Sequence, residues 1–101
     1  MQITDDSAAA FRTGSATIGA TAVQLTSTST KLTRGIVIKA PSANTGQVYI
    51  GTSSGVTALS TPATDGFQLS AGERQFIPVD DLSKIWLIAS GAGQVVTFLA
   101  A

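Results

Sequence analysis

The sequence predicts an all-β protein: a single antiparallel β-sandwich or jelly-roll-like domain of seven or eight short strands, preceded by an extended N-terminal arm. Three observations lead there. From Gly14 onward the apolar residues fall in short β-branched runs, and Gly, Pro, Asn and Asp punctuate them about every 8 to 12 residues. No ten-residue stretch repeats apolar residues at helical spacing without a Gly, Pro or β-branched interruption. Helix should be nearly absent.

Residues 1–13, ending in Phe11-Arg12-Thr13, show neither strand alternation nor a helical stripe, although Ser7-Ala8-Ala9-Ala10 suits a short turn of helix. They read as the arm, and residues 14–101 as the domain. Strand runs follow at 17–25, 35–40, 47–51, 56–59, 67–69, 74–79, 84–90 and 94–99. Between them lie Pro41-Ser42-Ala43-Asn44-Thr45-Gly46, Ser53-Ser54-Gly55, Thr61-Pro62-Ala63-Thr64-Asp65-Gly66, Ala71-Gly72-Glu73 and Gly91-Ala92-Gly93, which are turn-forming sequences. The polar run at 26–30 is low in complexity and reads as a flexible loop.

Alternation assigns faces. Lys39 marks the outer side of its strand, which sends Ile36 and Ile38 inward; Val48 and Ile50 fit the core in the same way. Two runs are apolar on both sides. Ile85, Leu87 and Ala89 oppose Trp86 and Ile88, and Val95, Thr97 and Leu99 oppose Val96 and Phe98. Joined through Gly91-Ala92-Gly93 they are expected to form a hairpin with two apolar faces, one in the core and one needing a cover. Tyr49, Trp86, Ile88, Val96 and Phe98 are the candidate subunit-interface residues on this reading. Phe67, Phe76 and Phe98 otherwise suit core or interface packing, and six aromatic residues in all are few for a sugar-stacking module.

At 101 residues a second independent core has too few residues to form, and association would help so small a domain. Six basic and six acidic residues cancel, so nothing recruits nucleic acid or an anionic membrane. With 12% charged and 44% hydrophobic residues the chain should fold. Lack of Cys and His removes disulfides, thiolate nucleophiles and imidazole bases or ligands. The opening Met-Gln-Ile-Thr-Asp-Asp has no basic or apolar leader region, and no run approaches a membrane span, so synthesis in the cytoplasm is expected.

Candidate chemistry is thin. Asp80 and Asp81 invite a metal or acid–base reading, but neighbours in extended chain point to opposite sides, and no glycine-spaced Asp loop accompanies them. Asp80-Asp81-Leu82-Ser83 reads better as a turn whose side-chain oxygens bind local backbone. Ser83-Lys84 diverges in extended chain and makes no nucleophile pair, and Gly91-Ala92-Gly93 opens no helix that would cradle phosphate. No residue is assigned a catalytic, cofactor-binding or metal-ligating role.

The stretch Gly35-Ile36-Val37-Ile38-Lys39-Ala40, then Ala43-Asn44-Thr45-Gly46-Gln47-Val48-Tyr49-Ile50-Gly51 and Gly55-Val56-Thr57, resembles small virion proteins of tailed bacteriophages. So do Gly66-Phe67-Gln68-Leu69-Ser70-Ala71-Gly72-Glu73, the run from Pro78 to Ser90, and the end from Gln94 to Ala100. The resemblance covers about two thirds of the chain and consists of strands and turns without a chemical signature. It implies a capsid decoration (cement or head-stabilising) protein on the virion surface, often a homotrimer, bound to the major capsid protein. On that reading the arm orders on the capsid, with Ile3 and Phe11 as apolar anchors and Asp5, Asp6 and Arg12 as polar contacts. The alternatives are a head-fibre or tail adaptor module, with receptor binding as one role, and more distantly a small carbohydrate-binding domain. The expected partners are thus the major capsid protein and further copies of the chain, with no cofactor, nucleic acid or membrane.

Overall fold

The computed structural model describes residues 11–58 and 64–101. Eight strands form two antiparallel sheets. They are β1 (Arg12–Ile18), β2 (Val23–Gln24), β3 (Ile36–Lys39), β4 (Val48–Gly51), β5 (Phe67–Leu69), β6 (Arg74–Ile77), β7 (Trp86–Ala89) and β8 (Gln94–Ala100), with one 3-10 turn at Leu82–Lys84. The first sheet has the order β1-β8-β3-β6 and the second β2-β7-β4-β5. Pairing of β1 with β8, β2 with β7, β3 with β6 and β4 with β5 describes one long hairpin of strand pairs. Rolling it up joins β3 to β8 and β4 to β7. This is jelly-roll order, and the all-β sandwich expected from the sequence is what the chain forms.

Strand alternation fills the space between the sheets. Ile36 and Ile38 of β3, Val96 and Ala100 of β8 and Ile18 of β1 enter it from the first sheet, and Val48, Leu69, Leu87 and Ala89 from the second. Removing one large aliphatic side chain of this kind from water contributes about 1.5 to 3 kcal/mol, so the interior dominates stability. Gln94 is the polar exception. Its Oε1 accepts from the Thr45 and Gly46 amides at 3.0 and 2.8 Å, its Nε2 donates to Ala92 O at 3.1 Å, and the 41–47 loop is thereby tied to β8.

Several expectations are corrected. Arg12 and Thr13, expected in the arm, belong to the domain, because they pair with Ala100 and Leu99 in β1. The 17–25 run is not one strand: pairing stops at Ile18, and the chain resumes as β2 in the other sheet. It crosses between layers about 10 Å apart, a distance no paired strand spans without a break. Within the 56–59 run, Thr57 makes only an isolated bridge to Asp65, and Leu59 lies outside the described residues.

The largest correction concerns β7 and β8. They lie in different sheets and form no hairpin, since Gly91-Ala92-Gly93 carries the chain across the sandwich. The two apolar strands face each other through one core. Val96 is therefore fully buried in its own chain and is not a subunit-contact residue. Phe98 also points inward and packs against the core. Its ring lies over Gly14 of β1, where an added Cβ would stand 2.7 Å from Phe98 Cζ.

Candidate interaction surface

The adjacent carboxylates behave as the turn reading expects. Asp81 is 6% exposed and caps the 3-10 turn, accepting from the Ser83 amide at 2.9 Å and the Ser83 hydroxyl at 2.8 Å. It also accepts from Ser29 Oγ at 2.6 Å and the Thr30 amide at 2.8 Å. The polar run at 26–30, expected to be flexible, is thus held to the 80–84 turn, and Leu32 N to Asp80 O at 2.8 Å adds a backbone bond. The Ser29 hydroxyl first, then the Ser83 and Thr30 amides, hold the Asp81 carboxyl well below the usual carboxylate range. Asp80 instead pairs with Lys84 at 2.7 Å in the open, an ion pair that lowers its own pKa and raises that of Lys84. Such an exposed pair contributes little to stability. Among the described residues no cluster of His, Cys, Asp or Glu suits a metal.

The outer face of the second sheet divides the remaining interface candidates. Tyr49 sits between Ile88 of β7 and Gln68 of β5 and is only 3% exposed. The connection between β4 and β5 lies against it: a Cβ at Gly66 would stand 2.8 Å from Tyr49 Cβ and 2.8 Å from Val56 Cγ2. Trp86 and Ile88 are half-buried outward residues of β7. With Val96 and Phe98 turned inward and Tyr49 covered, the continuous patch expected at a subunit interface reduces to these two.

At the other side the sheets part. β5 and β6 are edge strands of opposite sheets, and between them opens an apolar groove of about 540 Å³ lined by Ile50, Phe67, Ile77, Pro78, Val79 and Ile85, among others. Phe67 has the inward parity of its partner Ile50, yet it is 57% exposed, and among the described residues no strand closes the sandwich beyond it. The sequence reading placed Phe67 in core or interface packing and missed this groove. The available signal was the three-residue strand Phe67-Gln68-Leu69 between a Gly66 and a Gly72, too short to reach across a closed edge.

Of the arm candidates, Ile3, Asp5 and Asp6 lie outside the described residues. Phe11 is 66% exposed at the entrance to β1, and Arg12 is exposed on it. An open apolar groove with exposed aromatic side chains can bind a partner surface. A scan against protein-family models gives no match for this chain, and a search of curated proteins gives none either.

Proposed function

We propose that the chain is a non-enzymatic virion structural protein that decorates the capsid of a tailed bacteriophage, binding the major capsid protein as a homo-oligomer and stabilising the head. The observation that carries the reading is the open groove between β5 and β6, rimmed by Phe67 and backed by core residues Ile50 and Ile85. Together with the resemblance of the β3–β4, β5 and β7–β8 segments to phage virion proteins, it supports a module that works by contact. Burial of one aromatic anchor in such a groove is the usual energetic centre of an interface.

The test is addition of the chain to undecorated capsids, followed by cryo-EM and copy counting. Many copies across the head lattice are expected, with Phe67 in the contact. A Phe67→Asp protein, its fold checked by circular dichroism, should bind these capsids at least about tenfold more weakly, the ratio for a loss of 1.4 kcal/mol. A few copies confined to the tail or to a fibre would instead establish the adaptor reading.

A further inference from the structure

The outer face of the first sheet carries an unusual arrangement. Register places Leu99 of β8, Val37 of β3 and Phe76 of β6 side by side in one row, with Thr13 of β1 at its end. Phe76 is 50% and Leu99 46% exposed, and Val37 is half-buried. Two residues further along, Lys39 stands directly opposite Arg74. Both are exposed, and neither has an ion pair among the described residues. Like charges directly opposed on a sheet repel, and among the described residues no carboxylate neutralises this pair. An open depression of about 480 Å³ lies among Thr13, Val37, Lys39, Arg74, Thr97 and Leu99.

The chain has six acidic residues. Asp80 pairs with Lys84, Asp81 binds Ser29, Thr30 and Ser83, Glu73 accepts from the Ser70 amide at 2.6 Å, and Asp65 accepts from Thr57 Oγ1 at 2.8 Å. The two that remain are Asp5 and Asp6. They follow Ile3 in the segment that leads into β1 of this same sheet. In extended chain Ile3 and Asp5 lie on one side, two residues apart, which is also the spacing of Val37 and Lys39 along β3.

We propose that residues 1–10 of a second copy of this chain dock on this face, Ile3 over the Val37–Leu99–Phe76 row and Asp5 against Lys39 and Arg74, with Asp6 on the outer side of the docked segment adding only to its negative charge. Ten extended residues reach about 33 Å, enough to cross a neighbouring domain. A second copy is the occupant because β1 leads the segment off the end of its own sheet. Return across the same face would need a reversal near residues 8–11, where Ala-Ala-Ala-Phe offers no Gly, Pro, Asn or Asp. The contact involves no capsid component, so its outcome is independent of the decoration reading. It sends the arm to a sister subunit and away from the capsid contact that the sequence suggested.

The test uses the full chain. Because it has no Cys, a Ser7→Cys variant takes a single spin label. Unlabelled-nitrogen chain carrying that label is mixed with ¹⁵N chain lacking it, and broadening of the Val37, Lys39 and Leu99 amides is the expected result. Sedimentation should give at least a tenfold weaker self-association for Asp5→Lys/Asp6→Lys and for Lys39→Glu/Arg74→Glu, with recovery when the two reversed proteins are mixed. The milder Lys39→Gln/Arg74→Gln pair should shift in the same direction. A monomer at all concentrations, no broadening of those amides in the mixed sample, or mixing without recovery would each overturn the proposal.

Discussion

The two sheets are built alike inside and differently outside. Each contributes a row of aliphatic side chains to the shared core, yet the outward residues meet opposite fates. On the second sheet Tyr49 is 3% exposed, because Val56 and Gly66 of the β4–β5 connection lie against its strand. On the first sheet Phe76 and Leu99 stand in solvent beside Lys39 and Arg74, and among the described residues no connection crosses them. An apolar residue at an outward strand position therefore has no fixed meaning until the loops are placed. The same pattern is roofed on one sheet and left available on the other.

The sharpest test of this contrast is a pair of truncations. Tyr49→Ala removes a ring packed within its own chain and should cost about 3 kcal/mol, near the range for buried aromatic residues. Phe76→Ala and Leu99→Ala should each stay within about 0.5 kcal/mol in the monomer, as surface changes do. Urea unfolding read by tryptophan fluorescence measures all three. Equal losses at Tyr49 and Phe76 would mean that the first sheet is covered too, and the distinction between the faces would fall.

How much of this was legible in the sequence follows from what alternation encodes. It gave the inward sets Ile36/Ile38 and Val48/Ile50, whereas for Ile85-Trp86-Leu87-Ile88-Ala89, apolar on both sides, it only divided Ile85, Leu87 and Ala89 from Trp86 and Ile88. It could not give strand partners. For β8 the parity itself was ambiguous, as both sides are apolar, and the resolving signal sat in β1. There Gly14, Ala16 and Ile18 alternate with Thr13, Ser15 and Thr17. Such small inward residues look like a linker, yet they leave the room that Val96 and Phe98 fill from the neighbouring strand. The groove at Phe67 was hidden for another reason: it exists only because β5 and β6 end opposite sheets, a relation of topology and not of local pattern.

A second, smaller effect is expected where the chain passes between the sheets, in the polar contacts around Asp81. Asp81→Asn keeps the shape but weakens acceptance from Ser29, Thr30 and Ser83, and should lower the melting temperature by several degrees while leaving both outer faces unchanged. The pH dependence has a definite sign. The folded carboxyl titrates below its unfolded value of about 3.9, so its contribution is complete above roughly pH 5 and is lost as pH falls through and below pH 4. The wild-type chain should lose stability over that window, and Asp81→Asn should lose less. Identical acid profiles for the two proteins would remove Asp81 from the account.

The smallest expected effect probes the bare face directly. At a dilution where the chain is monomeric, Lys39 and Arg74 repel across β3 and β6. Lys39→Gln should then raise stability by a few tenths of a kcal/mol at low salt, the lower part of the range for cross-strand pairs. The gain should vanish near 1 M salt, where the screening length falls to about 3 Å. Arg74→Gln should behave in the same way, and the double variant should gain no more than either single one, since one repulsion cannot be relieved twice. Additive gains would show that each cation is strained by a different neighbour. A loss of stability in either single variant would show that a carboxylate already lies across the pair in the monomer. In that case the face is roofed after all, and the difference between the two sheets is one of sequence and not of exposure.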